Sequence, residues 1–562
     1  MLAYDEDFGS NAHGKGSKWP EGNAPGKYAM QQYDYIVVGA GSAGAALASR
    51  LSENPRHQVL LVEAGGKTHF LSRFPLSFGL FIEKPGVNWL YQSEAEENTA
   101  NRLIPVPRGK MLGGSSAING LVWVRGQPLD YNTWAQMGAR GWSWEDVAPV
   151  FTRIESYEKG GGKFGRGTKG PLRITEVPDQ SALYDAMFKA AVSAGYRINP
   201  DYNSEDQEGI VKTQASIYRG MRMSVARCYL GPAMKRPNLT IVTDAPTRRV
   251  MLDGKRCTGI VYEQGGQRVE ARAGREVILC SGAVATPQLL ELSGIGNPAV
   301  LSRHGIAVQH PLEAVGENFR DHLNARIIWR VNEKAVSYNH RAQGFGALGQ
   351  GLRYVFTRGG FISLPSAPML AFLRTRPDLE TPDVQMHIVP YAIKDPKTRK
   401  LQDFPSMTMS CYQLRPESLG SIHIRSSDPN DQPSIRFNFL ADPIDRAAMV
   451  EGFKIVRRIV ESPPMNDLRG EEFSPGKDVA SDDEILNWIR NNSQTAYHPI
   501  GTCRMGPAGQ RTVVDERLRV HGLSGLRVAD ASIFPTMPSG NTNAPAIMVG
   551  EKAADILRAD AA

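Results

Sequence analysis

Hydrophobic positions near the start of the chain follow strand spacing, then helix spacing, then strand spacing again. Residues 35–38 form a short β-branched run, residues 59–62 form a second one, and a stretch rich in alanine lies between them. A third run, EVILC at 276–280, is apolar after its first residue, as expected of a strand buried on both faces, and a turn and a helix follow it. These patterns predict an α/β unit with a parallel sheet.

Residues 379–440 carry a different pattern. Four β-rich segments are separated by Pro, Asp and Gly turns, which predicts an antiparallel sheet. Helical spacing follows at 442–461 and 481–492. A last helix is predicted at 544–558, with Pro545 in its first turn, where a missing N–H costs little.

The predicted fold is therefore α/β, and α+β overall, with a Rossmann-like nucleotide-binding domain and a substrate domain. The substrate domain combines an antiparallel sheet with flanking helices. Residues 1–30 are polar and rich in Gly and Pro, and we expect a disordered tail or a natural start at Met30. The predicted segments are 31–160, 222–318 and 494–562 for the nucleotide-binding domain, and 161–221 and 319–493 for the substrate-binding domain.

The composition of the 562-residue chain, with 41% hydrophobic and 22% charged residues, is that of a globular protein with two large units. The net charge is +7, but the basic residues are scattered, which disfavours a nucleic-acid partner and leaves open a weak peripheral contact with a membrane. Five cysteines without metal-ligand spacing predict no metal site and favour a reduced, cytoplasmic protein, with a loose association with the inner membrane left open. No apolar stretch approaches the ~18–20 residues of a transmembrane helix.

Three glycines follow the first predicted strand, and each has a physical reason in a dinucleotide site. Gly39 lets the chain turn out of the strand, Gly41 lets the backbone approach a pyrophosphate, and Gly44 lets the helix pack near the sheet. The helix amino terminus then offers free N–H groups to phosphates. Glu63 lies about 20 residues beyond the last glycine, where a carboxylate accepts hydrogen bonds from ribose hydroxyls. The motif predicts binding of FAD or NAD(P).

Three further segments make the prediction more specific. They read GKMLGGSSAINGLVWVRGQPLDYN at 109–132, GAVATPQLLELSGIG at 282–296, and YHPIGTCRMG at 497–506 with RVADASIFPTMPSGNTNAPAIMVGEKAADIL at 527–557. Together with the glycine motif, they closely resemble the glucose–methanol–choline (GMC) family of FAD-dependent oxidoreductases. The resemblance runs from about residue 33 to residue 557 and is strongest to bacterial alcohol and choline dehydrogenases.

The resemblance implies FAD as cofactor. Some family members attach FAD covalently through a histidine at the position of Val106, so a non-covalent FAD is expected here. The residues expected to surround the cofactor are Gly39, Gly41, Ser42, Ala43, Gly44, Glu63, Ala64, Arg108, Gly113, Gly114, Ser115, Asn119, Gly120, Leu121, Val122, Val250, Ala283, Tyr497, Asp530, Ala531, Thr542 and Asn543.

Oxidation of an alcohol removes a hydroxyl proton and a hydride from one carbon, and FAD provides the hydride acceptor. The protein must provide a base. By resemblance the catalytic pair is His498 and Asn541: the imidazole accepts the proton, and the amide positions and stabilises the oxygen. The amino terminus of the last helix resembles the family's dipole that stabilises the reduced flavin.

Departures from relatives bear on the substrate. Choline-oxidising relatives carry a glutamate at the position aligned to Pro368, and its absence disfavours choline. The presumed lid, residues 74–89, is rich in aromatic and aliphatic residues, which favours a primary, apolar aliphatic or aromatic alcohol. His387 and Tyr391 are candidates for the cavity wall, although a role in the core of a sheet fits them equally well.

The motifs leave several activities open. An alcohol dehydrogenase that passes electrons to a quinone or other carrier is the first hypothesis, and an oxidase that reduces dioxygen to hydrogen peroxide is the second. Choline oxidation, a redox-silent lyase on the same fold, and a non-catalytic flavin sensor are weaker alternatives. The sequence predicts no oligomeric state.

Overall fold

A computed structural model describes residues 31–161, 165–204, 206–395 and 399–561. The predicted tail at 1–30 lies outside these residues. Two seven-stranded sheets organise the fold, and each has its own hydrophobic core. This arrangement confirms the predicted mixed α/β class. The predicted domain boundaries stay a prediction.

The first sheet is the expected nucleotide-binding sheet. Its strands run in the order Leu239–Val242, Val59–Val62, Gln31–Val38, Gln267–Leu279, Arg256–Gln264 and Thr247–Asp253, with Leu526–Val528 beside Gln267–Leu279. The pairings around Gln31–Val38 are parallel, and so is the pairing of Leu526–Val528. The last two strands of the order are antiparallel. The predicted strand at 276–280 is therefore the end of a much longer one.

The second sheet is antiparallel throughout. Its strands run in the order Arg469–Ser474, Leu323–Val331, Ser406–Gln413, Val384–Val389, Met369–Leu373 and Gly209–Lys212, with Gln494–Thr495 also paired to Leu323–Val331. Only two of the four predicted β-rich segments join this sheet. The other two, Ser421–His423 and Ser434–Arg436, pair with each other instead. Local β-propensity indicated the strands but not their partners.

Where a capping residue marks the boundary, the longer helices begin and end close to the predicted positions. Asp442 caps Pro443–Val460 by accepting from the Ile444 N–H, and Ser481 with Glu484 forms a capping box on Asp482–Asn492. The last helix begins one residue earlier than predicted and continues to Ala561. The longer helices are Ser42–Leu51, Pro128–Gln136, Trp144–Ile154, Ala182–Ser193, Gly282–Leu292, Phe345–Thr357, Pro443–Val460, Asp482–Asn492 and Asn543–Ala561.

Helix packing brings the first and last of the longer helices together at the first sheet. Ser42–Leu51, directly after the first strand, packs against the last helix, Asn543–Ala561. Close contact is possible because Gly550 faces Ala43, where a Cβ on the glycine would collide with the Ala43 carbonyl. The first glycine motif and the last sequence motif are therefore neighbours in space.

Candidate active site

A cavity of about 1050 Å³ lies between the two sheets. The carboxyl ends of the parallel strands form one wall, through Val38, Glu63 and Cys280. Alternate residues of three neighbouring antiparallel strands form the other wall, because side chains two positions apart share a face of a sheet. These residues are Asn324, Arg326, Ile328, His387, Val389, Thr408 and Ser410.

In the glycine turn, two of the three glycines are required by tight packing and the third borders open space. A Cβ on Gly39 would collide with the carbonyl oxygen of Cys280, and a Cβ on Gly44 would collide with that of Gly39. A Cβ on Gly41 would meet no atom within 4 Å, and Gly41 lines the cavity. Gly41 is also the N-cap of the helix and makes no side-chain cap, so the first N–H groups of the helix are left for a ligand.

Glu63 is buried at the end of the second strand. One carboxylate oxygen accepts from the Ala40 N–H at 2.8 Å and the other from the Gly65 N–H at 2.9 Å. Burial raises the pKa of Glu63 to about 7, against the opposing effect of these two bonds. The carboxylate fixes the glycine turn, and each oxygen keeps a second lone pair toward the cavity.

The remaining sequence motifs converge on this turn. Gly114 lies so close to Gly41 that a Cβ would come within 2.7 Å of the Gly41 Cα. The hydroxyl of Ser42 donates to Oδ1 of Asn543 at 2.7 Å. Asp530 accepts from the Gly282 N–H, the Ser532 N–H and the Thr286 hydroxyl, which joins the third and fourth motifs.

Most of the residues expected around the cofactor line the cavity, and three do not. Gly44 and Gly113 lie beneath the lining, in tight packing positions. Val250 is buried in the core and its N–H donates to the Ser293 hydroxyl at 3.0 Å, while Thr247 and Arg248 of the same strand reach the cavity. The cofactor roles of individual residues stay predictions.

His498 lies in a chain of hydrogen bonds that fixes its tautomer. Nε2 of His322 is 2.9 Å from the carbonyl oxygen of Leu414, which can only accept, so this nitrogen carries the proton. Nδ1 of neutral His322 is then an acceptor, and it lies 2.9 Å from Nδ1 of His498. His498 therefore donates through Nδ1, which leaves a lone pair on Nε2. The site presents a base at Nε2.

Asn541 holds the other side of this base. Its Nδ2 donates to Nε2 of His498 at 2.9 Å, and its Oδ1 accepts from Nε2 of Gln385 at 3.2 Å. Gln385 also contacts Nε2 of His387 at 3.1 Å, and the hydroxyl of Tyr412 is 3.4 Å from the same nitrogen. An alcohol oxygen that inserts between these two groups, in place of the hydrogen bond from Asn541 to Nε2 of His498, can give its proton to the ring and accept from the Asn541 amide.

Burial keeps the three imidazoles neutral. It lowers the pKa of His322 to about 4 and that of His387 to about 3, where Arg326 and His322 add to the effect. The pKa of His498 is lowered well below its usual range by burial, then by His322, His387 and Arg108. The base is therefore in its proton-accepting form across the ordinary pH range.

Asp321 fixes the backbone that carries His498. One oxygen accepts from the His322 N–H at 2.7 Å and the His498 N–H at 2.8 Å, and the other accepts from the Thr495 hydroxyl at 2.6 Å. Burial raises the pKa of this carboxyl to about 6. Arg108 donates to the carbonyl of Tyr497 at 2.8 Å. One carboxylate thus holds the main chain at both histidines, His322 and His498.

Two arginines lie in the cavity beside Tyr497. Burial raises the pKa of this phenol, but Arg399 and Arg326 outweigh burial and lower it. Arg326 donates to Gln494 at 3.0 Å and Arg399 to the Tyr497 hydroxyl at 3.4 Å. Within the described residues, neither guanidinium is in an ion pair with a carboxylate.

Of the predicted substrate residues, His387 and Tyr391 both line the cavity. Pro368, the position aligned with the glutamate of choline-oxidising relatives, does not line the cavity. It is buried, and its carbonyl accepts from the Thr213 N–H at 3.0 Å. Ser366 of the same segment is the residue that lines the cavity, and its side chain faces Gly120.

Sequence reasoning missed the residues that support His498. These are Asp321, His322 and, through Asn541, Gln385. The two arginines beside Tyr497, Arg326 and Arg399, were missed as well. The adjacent acid and histidine at 321 and 322, at the start of an apolar strand, were the one signal in the sequence. Within the described part of the chain, no group of three or more His, Cys, Asp or Glu side chains is placed to hold a metal ion.

Family models for the GMC oxidoreductase match residues 33–324 and residues 416–550. The chain belongs to the GMC oxidoreductase family. The oxygen-dependent choline dehydrogenase of Photobacterium profundum is 39% identical over 93% of both chains. The alcohol dehydrogenase [acceptor] of Pseudomonas putida is 40% identical over 93% of this chain and 95% of that one.

Solved GMC structures share the fold. Pyridoxine 4-oxidase from Mesorbium loti is 28% identical with a TM-score of 0.84, covering 94% of this chain and 99% of that one. Formate oxidase is 28% identical with a TM-score of 0.88, covering 95% and 99%. The protein is an FAD-dependent oxidoreductase that acts on alcohol-type substrates.

The cavity fits FAD on observations of this structure. The uncapped amino terminus of Ser42–Leu51 and the open space at Gly41 suit the pyrophosphate. Glu63 offers carboxylate lone pairs at the end of the second strand, where a ribose would lie. His498 and Asn541 line the same cavity.

No helix in the described ranges is both long and apolar enough to cross a membrane.

Proposed function

We propose that this GMC protein oxidises an uncharged, largely apolar primary alcohol, aliphatic or aromatic, to the aldehyde and passes the electrons to a quinone or other carrier. The observation that carries the proposal is the hydrogen-bond chain from Leu414 through His322 to His498, which leaves a lone pair on Nε2 of His498. That nitrogen lines the cavity beside Asn541.

Each residue then has a separate task. Nε2 of His498 accepts the hydroxyl proton, and the Asn541 amide donates to the oxygen as negative charge develops on it. His322 holds the imidazole in the productive tautomer, and Asp321 holds both main chains. When bound, FAD supplies the acceptor for the hydride.

The charges in the cavity support a substrate without a positive charge. Among the described residues, the acids that line the cavity are Glu63 and Asp530 at the strand ends and Asp431 in a loop beside Gln288. Arg326 and Arg399 face the cavity near Tyr497 instead. A quaternary ammonium group would meet cations here rather than a counter-charge, so choline is a poor substrate.

A non-covalent FAD is part of the proposal. Val106, at the position of the covalent histidine, is fully buried and has no nucleophile. Cys280 lines the cavity, but burial raises the pKa of its thiol well above the usual range, so it stays a thiol. Denaturation with acid should release all the flavin into the supernatant.

Anaerobic bleaching of the bound flavin tests the proposed substrate class. We expect neutral primary alcohols to bleach the flavin much faster than choline does, and His498→Ala to slow bleaching by ~10²–10⁴ with FAD retained. Near-normal bleaching in that variant, or preference for choline, would contradict the proposal. Hydrogen peroxide formed in air at the rate of turnover would identify dioxygen as the acceptor instead of a carrier.

A further inference from the structure

The helix Phe345–Thr357 has its large apolar side chains on the side that faces solvent. Their exposed fractions are 96% for Phe345, 64% for Leu348, 51% for Leu352, 63% for Val355 and 81% for Phe356. At 100° per residue, these five positions fall within about 100° of the helix circumference, which is one continuous stripe. We call these five residues the apolar stripe.

The opposite side of the same helix is polar and holds it against the protein. Oε1 of Gln350 accepts from the Phe361 N–H at 3.0 Å, and the Tyr354 hydroxyl donates to the carbonyl of Gly220 at 2.7 Å. The helix is therefore amphipathic in the reverse of the usual sense, with its polar side inward. Because these bonds fix its rotation, the apolar stripe cannot turn to the core.

The helix packs, through its buried side, on the start of the presumed lid of the cavity. The ring of Phe74 lies 5.6 Å from that of Tyr354, and the ring of Phe70, itself exposed, lies 5.8 Å from that of Phe74. The guanidinium of Arg73 lies over Phe70 at 4.3 Å. Phe70 is thus a further exposed apolar side chain near the helix, with a cation beside it.

The chain segment that contains the helix carries charge of one sign. Residues 334–377 contain six Lys and Arg residues and no Asp or Glu. Three of these cations are close to the stripe in sequence: Arg341 before the helix, Arg353 within it and Arg358 directly after it. An apolar stripe with flanking cations is the pattern of a helix that lies in the interface of an anionic membrane.

We propose that the helix Phe345–Thr357 docks this enzyme on the surface of a bilayer that contains anionic lipids. The apolar stripe enters the boundary between headgroups and acyl chains, and the flanking arginines contact lipid phosphates. A second copy of the chain fits less well, because a two-fold interface through the same patch would place arginines of one copy against those of the other.

Vesicle co-sedimentation of the full-length holoenzyme tests the proposal. We expect binding to vesicles of equal parts phosphatidylcholine and phosphatidylglycerol, and weaker binding to pure phosphatidylcholine or at high salt. The triple variant L348Q/L352Q/F356Q should lower the partition coefficient by about 100-fold. Ile444→Gln is the matched control, because Ile444 is 59% exposed on another helix, and it should bind like the parent.

Two further measurements keep the outcomes distinct. Alcohol oxidation with a water-soluble dye should be unchanged in the triple variant, since none of the three residues lines the cavity, and this shows that the variant is folded. Failure of the parent to bind anionic vesicles, or equal binding by the triple variant, overturns the proposal. A dimer in lipid-free buffer that the triple variant abolishes would overturn it in favour of a second copy.

Discussion

The support of His498 by His322 can be tested with two substitutions that each keep a different one of the two hydrogen bonds of His322. In His322→Asn, the amide lies where Nδ1 lies now, so its oxygen can still accept from Nδ1 of His498. In His322→Gln, the amide extends to the position of Nε2, so it can donate to the carbonyl of Leu414 but leaves Nδ1 of His498 without an acceptor. The two variants separate tautomer control from simple loss of packing.

The size of the effect follows from the buried N–H. A buried donor without a partner costs about 1–3 kcal/mol, and 1.4 kcal/mol is a factor of ten. In His322→Gln this cost falls on the productive tautomer of His498, so the ring moves its proton to Nε2. We expect anaerobic flavin reduction to slow by about 5–150-fold. His322→Asn should lose clearly less, because it keeps the acceptor.

Stopped-flow flavin reduction at saturating alcohol measures this difference. Flavin content and thermal unfolding of both variants provide the control, since each should retain FAD. Equal rates for the two variants, or rates for His322→Gln within twofold of the parent, would refute the tautomer argument and leave His322 as a packing residue.

Three other results are expected. Asn541→Ala should slow flavin reduction by ~10²–10³, as for loss of one oxyanion donor, and Asn541→His should be milder; equal rates in both would argue against a donor role. The reduction rate should be flat through pH 6.5, because the lowered pKa keeps His498 unprotonated there, and an acid limb centred near the ordinary value of ~6.5 would contradict this. Arg326→Met should raise kcat/KM for choline relative to a neutral alcohol by about tenfold, since one repelled charge is removed; an unchanged ratio in steady-state assays would place this cation away from the substrate.

The parts of the site that sequence reasoning located depend on local physical rules. The strand at 59–62 has the predicted bounds because its apolar run ends at an acid, Glu63, whose carboxylate accepts from N–H groups of the turns beyond the strands. Gly44 is required by a collision with the carbonyl oxygen of Gly39, which arises within one strand–turn–helix unit. Such constraints act between residues close in the chain, so they leave a readable pattern.

The support of His498 depends on contacts that no local pattern encodes. His322 lies 176 positions before His498, and Gln385 lies 156 positions before Asn541. The antiparallel sheet places His322 and Gln385, and the loops that carry His498 and Asn541 reach them only in the complete fold. Similarly, Pro368 and Ser366 are two positions apart, yet only Ser366 lines the cavity, which alignment by resemblance could not distinguish.

Proton transfer in the site depends on two pKa values, that of His498 and that of the alcohol hydroxyl, and the surroundings shift both. Burial and Arg108 lower the pKa of His498, which weakens it as a base. The positive charge of Arg108 favours negative charge on an alcohol oxygen beside the ring, whereas burial disfavours that charge, so the donor of Asn541 is needed to stabilise the oxygen. The charge of Arg108 therefore lowers the pKa of both groups and changes the difference between them little, while burial opposes the separation of charge and keeps the ring neutral before substrate binds. With a cationic substrate, proton transfer to His498 is less favourable, since the charge of the substrate adds to the repulsion that already disfavours protonated His498.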